Sequence, residues 1–196
     1  MTLSANIPPL ILASSSRYRR ELLERLQLPF TVQAPEIDES PLSGETPADL
    51  ASRLARQKAG AIAKNTPEAI VIGSDQVVEC EGRSLGKPGT AARAEEQLLL
   101  LQGRTVCFHT AVTVKQDSIE YSERVPTTVQ MRRLTRQQVC RYVAAESPLD
   151  CAGAFKSEAL GISLIKRLSS DDPTALVGLP LIATVRLLSR FGILLP

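Results

Sequence analysis

Residues 70–88 read IVIGSDQVVECEGRSLGKP. The run opens as a buried strand, Ile70-Val71-Ile72, and then places Gly73, Ser74 and a carboxylate, Asp75, where the apolar stretch ends. In open α/β sheets, ligands gather beyond the carboxyl ends of strands. An acid at a strand end therefore predicts a functional position better than an acid on a surface loop does. Lys87, before Pro88, closes the same stretch.

Working outward, Leu10–Ala13 (LILA) predicts a first buried strand, followed by Ser14-Ser15-Ser16 and a helix over about 17–27. Residues 31–46 read mostly as loop and contain PEIDESPLSGE. Thr46-Pro47 is an N-cap with proline at the first helical position, opening a helix to about Lys64. Thr90 caps a helix that Gly103 stops. Strands follow at about 106–114 and 125–133, then a Thr135/Gln138 capping box and a helix to about Ala145. Residues 162–168 look strand-like, and Pro180 opens a last helix to about Arg190. Helices and strands alternate first, and strands then cluster. That order predicts a single mixed-sheet α/β domain over residues 1–196.

Composition narrows the function classes. The chain has 196 residues, 43% hydrophobic and 22% charged, with a net charge of +2. That balance is ordinary for a globular domain and carries no broad nucleic-acid footprint. The four cysteines stand far apart, with no CxxC, and read as reduced thiols. No signal-peptide pattern and no transmembrane-length apolar run is present, so a cytoplasmic protein without membrane association is expected. His109, the only histidine, falls within a predicted strand and reads as structural.

Several charges stand in the wrong place for a passive surface. On the first helix, Leu22, Leu23 and Leu26 form the apolar stripe, and Arg19 falls inside it. Arg19 also follows three serines at a helix start, where hydroxyls and free N–H groups favour an anion; a plain serine cap with a snorkelling arginine fits equally. On the second helix Lys58 projects from the face made by Leu50, Ala51, Leu54 and Ile62, while Arg53, Arg56 and Lys64 lie opposite as solvated charges. A buried lysine needs a partner, either a structural ion pair or an anion-holding cleft. Glu36, Asp38 and Glu39 put three carboxylates in one loop. Clustered acids are usually a solvated loop, yet Mg²⁺ takes one or two carboxylates together with phosphate oxygens. The set suits a metal-bound polyphosphate, without the GxxxxGK[ST] of a P-loop.

With LILASSSRYRRELL (10–23), PEIDE (35–39), RLARQKA (53–59), IGSDQVV (72–78), GKP (86–88), CAGAFKSEALGI (151–162) and VGLPL (177–181), the chain resembles the Maf family of nucleoside triphosphate pyrophosphatases. The resemblance implies an elongated α/β domain with a central cleft, related to the inosine triphosphate pyrophosphatase (Maf/Ham1) fold. It implies hydrolysis of a nucleoside triphosphate to monophosphate and diphosphate with a divalent cation, Mg or Mn. The family's catalytic acid falls on Asp75, as general base or metal ligand. Its phosphate-binding positions fall on Ser14, Ser16, Arg19, Lys58 and Lys87. Glu39 is the first candidate to share the metal with Asp75, and Glu36 and Asp38 are weaker ones.

The family also divides by base. The branch acting on dTTP and UTP carries Arg, Thr and Gln where this chain has Tyr18, Gln76 and Glu158. This chain resembles the branch acting on 7-methyl-GTP. A cationic 7-methylguanine suits an aromatic face and a carboxylate that accepts from its N–H edge. Arg17 and Ala159 depart from the pattern, which commonly has Pro and Gly there. The rivals are a dTTP/UTP pyrophosphatase, a bare nucleotide-binding module, and a non-enzymatic septum-formation or nucleic-acid-binding protein. A small-molecule nucleotide is the expected partner, with no stable nucleic-acid complex, and a homodimer stays open.

Overall fold

The computed structural model describes residues 8–196. Seven strands form one sheet: β1 Leu10–Ala13, β2 Thr31–Gln33, β3 Ile70–Cys80, β4 Arg83–Leu85, β5 Thr105–Gln116, β6 Ile119–Met131 and β7 Ile165–Ser170. Their order is β2-β1-β3-β5-β6-β7, with β4 pairing β3. β2, β1 and β3 run parallel, and the pairs from β3 through β5 and β6 to β7 are antiparallel. The sheet is mixed, as the sequence predicts. Five helices cover it: α1 Arg17–Glu24, α2 Pro47–Ala63, α3 Ala91–Leu101, α4 Arg136–Glu146 and α5 Leu181–Ser189.

Strand alternation sorts the core. Ile70 and Ile72 join Leu10, Leu12 and the α1 and α5 leucines on one face. Ile11, Ala13 and Val71 meet Ala59 and Ala63 of α2 on the other. Farther along, Val78, Val106, Phe108 and Val129 pack with α3 and α4. Gly73 lets α2 lie directly on the sheet: a Cβ there would sit 2.3 Å from the Ala55 carbonyl oxygen. No helix among the described residues is long and apolar enough to cross a membrane.

Helix boundaries follow their caps. Thr46 and Thr90 accept from the backbone N–H three residues on, and Thr135 with Gln138 closes the capping box. Three expectations need correction. First, β3 does not end near residue 72. It continues to Cys80 because β5 pairs it throughout, from Val71↔Lys115 to Glu79↔Cys107. Second, residues 160–164 are a 3₁₀ turn, and the strand starts only at Ile165. Third, the segment taken as loop begins with the short strand β2, which extends the parallel edge beside β1.

Candidate active site

Asp75 is therefore not at a strand end, yet it stands at an ending. β1 pairs β3 only as far as Ala13↔Gly73, and β4 begins to pair it at Val78↔Leu85. Between them Ser74–Val77 has no strand partner along that edge. This notch in the sheet is the floor of a cleft of about 780 Å³. The segment after β1 (Ser14–Arg19), the acidic loop at Glu39, the segment after β4 (Gly86, Lys87) and residues 150–158 surround it. Because neighbouring strand residues face opposite ways, Asp75 points to the α2 side and Gln76 to the other.

α2 delivers the lysine. Lys58 is buried, and its Nζ donates to Asp75 Oδ1 at 2.6 Å and lies 2.8 Å from Glu39 Oε1. Of the two readings of Lys58, the ion pair is present, and that pair lines the cleft. The second oxygens of Asp75 and Glu39 have no hydrogen-bond partner among the described residues. Two carboxylates with free oxygens are a donor set that a hard cation can use when phosphate oxygens complete its shell. Among the described residues no cluster of three or more metal-ligating side chains exists. Glu36 and Asp38 do not join this pair. Both are exposed and outside the cleft lining, and Asp38 accepts from the Ser40 N–H instead.

The serine and arginine wall of the cleft is built on α1. Ser16 is the N-cap, accepting from Arg19 N, and buried Ser14 accepts from Ser16 N at 3.1 Å. Arg19 Nε donates to the Gly178 carbonyl at 2.8 Å. Ser74 Oγ lies 2.9 Å from that same oxygen. Gly178 holds φ at 119°, a conformation that favours glycine. Burial lowers the Arg19 pKa, while the Asp75 and Glu39 charges act against that. Burial pushes the Glu39 carboxyl up, but Lys58, Lys87 and Arg19 outweigh it and hold it below the usual range. Lys87 is exposed on the opposite wall, where Gln97 of α3 donates to the preceding Gly86 carbonyl at 3.1 Å.

Tyr18, Gln76 and Glu158, the three positions that the family resemblance links to the base, line this same cleft. Gln76 Nε2 lies within 2.9–3.0 Å of the Thr110 hydroxyl and the Ala175 and Leu176 carbonyls. Two carbonyls fix the amide nitrogen inward and leave Oε1 as the free acceptor. Glu158 is exposed, on a loop pinned by Lys156, whose Nζ donates to the last carbonyls of α4. Ala159 keeps φ at −132°, outside the positive range that favours glycine. Tyr18 is half-buried, and burial raises its hydroxyl pKa to about 12.

Sequence reading missed Arg53. Far from being solvated, it grips Glu45 through Nε and Nη2 at 2.7 and 2.8 Å and the Ser40 carbonyl at 2.9 Å. It thereby holds the loop that carries Glu39. His109 lies outside the cleft lining, with Nε2 2.6 Å from Glu79 Oε2.

Residues 9–191 match the family model described as Maf-like protein. The chain belongs to the Maf-like family. It is 57% identical over 97% of its length to the whole of a "7-methyl-GTP pyrophosphatase" from Xanthomonas oryzae pv. oryzae. It is 56% identical over 95% of its length to 97% of the same-named protein of Aromatoleum aromaticum. A Bordetella pertussis relative of that name is 53% identical, with 95% of this chain and 94% of the relative covered. Among solved structures, the Staphylococcus aureus Ham1 protein aligns with a TM-score of 0.45 and 17% identity, over 63% of this chain and 71% of that one.

Proposed function

We propose that this Maf-like protein hydrolyses 7-methyl-GTP to 7-methyl-GMP and diphosphate, clearing a modified nucleotide from the pool. The observation that carries this reading is the notch, where Asp75, Lys58 and Glu39 interlock beside Arg19 and below Lys87. Water attacks the α-phosphorus, losing its proton to Asp75 or being oriented by it, as the bond to the β-phosphate oxygen breaks. Arg19, Lys58, Lys87 and the Ser14–Ser16 segment stabilise charge growing on the leaving diphosphate. Asp75 and Glu39 would hold a divalent cation, Mg or Mn, which supplies Lewis-acid stabilisation of phosphate charge when bound.

The base reading rests on acceptors. Guanine offers an N1–H and an amino group, and the Gln76 Oε1 and the Glu158 carboxylate are both acceptors on the cleft wall. Thymine and uracil offer one N–H. The names of the relatives agree with this reading. Diphosphate release should be measured across 7-methyl-GTP, GTP, dTTP and UTP, with and without Mg²⁺. We expect the highest kcat/KM with 7-methyl-GTP and loss of turnover on chelation. A preference for dTTP or UTP rejects the base, and metal-independent turnover rejects the cation. A salt-sensitive affinity for DNA or RNA with no diphosphate released rejects the enzyme.

A further inference from the structure

The cleft has two electrical ends. At one, the three cations Arg19, Lys58 and Lys87 outnumber the carboxylates Asp75 and Glu39. The other end holds Tyr18 with Asp150 and Cys151, all on the cleft wall. The Tyr18 hydroxyl accepts from Arg17 Nη2 at 2.7 Å and lies 3.5 Å from Asp150 Oδ1. A guanidinium only donates, so the hydroxyl proton goes to Asp150. Cys151 Sγ is 3.5 Å from the same carboxylate oxygen, and burial raises this thiol to about 11, so it stays neutral. Asp150 is exposed, and among the described residues no cation lies within ion-pair distance of it. Its place is fixed on both sides. Gly89 N donates to the Leu149 carbonyl at 3.0 Å, and Gly153 N donates to the Gly86 carbonyl at 3.4 Å.

An aromatic ring backed by an unpaired carboxylate attracts a cation to its face. One is already there: the Arg17 guanidinium carbon lies 4.7 Å from the Tyr18 ring centroid. Arg17 is held there by this contact, by the hydroxyl and by the nearby Asp150 and Glu21 charges. We propose that Asp150 is a specificity-determining residue, whose carboxylate, acting across Tyr18, favours a positively charged purine base over a neutral one. The inference rests on the 7-methyl-GTP reading and adds a residue to Tyr18, Gln76 and Glu158. It also gives the base end a charge test that hydrogen bonding alone does not supply. Guanine and 7-methylguanine present the same N–H edge, and the charge separates them.

The test is calorimetric titration of 7-methyl-GMP and of GMP into the wild type, Asp150→Asn and Asp150→Glu. Mildly acidic buffer keeps the methylated ring cationic, and no turnover is involved. In Asp150→Asn, affinity for 7-methyl-GMP should fall by about 3–10-fold, the scale of one charge screened by solvent. Affinity for GMP should stay within about twofold, and Asp150→Glu should restore the preference. An unchanged ratio in Asp150→Asn, or equal weakening of both ligands, overturns the inference. A wild type that binds both ligands equally overturns the base reading itself, which is a separate result.

Discussion

At the residue scale the site turns on charges placed among apolar neighbours. Arg19 and Lys58 were legible because the helical wheel puts them on faces otherwise made of leucine and alanine, where a charge needs a partner. Asp75 was legible for an incomplete reason. The sequence marks the end of an apolar run, whereas the chain continues as strand and it is the neighbouring strand that stops. Arg53 was invisible because its partner, Glu45, lies across a loop whose path no local pattern fixes. Asp75→Asn should lower kcat by about 10²-fold or more if the carboxylate takes the proton. Lys58 keeps Glu39 at 2.8 Å in that variant, so the buried ammonium is not stranded. Near-normal kcat in a variant with an unchanged circular dichroism spectrum would remove Asp75 from that role.

At the element scale, the notch comes from strands of unequal length on one edge of β3. Gly73, Ser74, Asp75 and Gln76 are poor strand formers, so propensity ends the strand early. Continuous pairing with β5 overrides that preference, a long-range effect that local sequence does not carry. Gly73 is required by its neighbour: Gly73→Ala would drive a methyl into the α2 backbone and should cost about 1–3 kcal/mol, read as a lowered urea midpoint. A midpoint equal to that of the wild type would contradict the close contact. The loop before α2 carries a pH signature. The Arg53 hydrogen bond holds the Glu45 pKa at about 2, against 4.5 for the free group. The unfolded chain therefore binds the extra proton first. This pair's contribution is complete above the unfolded value and is lost as pH falls toward about 2. Thermal midpoints of wild type and Glu45→Gln, followed from neutral to acid pH, should converge; a gap that stays constant with pH would refute the assignment.

At the scale of the whole molecule, the sheet is a spine joining several apolar clusters, two of which flank the cleft. One surrounds β1, α1 and α5, and the other lies under α3 and α4. Around the cleft the walls belong to different clusters: Ser14–Arg19 opens α1, while Gly86–Lys87 and residues 150–155 are tied to α3 and to each other. The order of elements along the chain was readable from alternation and caps. That two clusters face each other across a gap was not, because it depends on which strand edges remain unpaired. On the proposed reading, a nucleotide filling the cleft touches both walls, with its phosphates among Ser14–Ser16, Arg19, Lys58 and Lys87 and its base between Tyr18 and the 150–158 segment. Binding then ties the clusters together, and at a hundredfold excess over Kd it stabilises the fold by about 2.7 kcal/mol. Amide exchange should therefore slow in both 14–19 and 150–158 when 7-methyl-GMP binds. Diphosphate alone should slow exchange in 14–19 and leave 150–158 as in the free protein. Protection by the nucleotide on one wall only would show that the ligand does not span the notch, and the assignment of a phosphate end and a base end would fall with it.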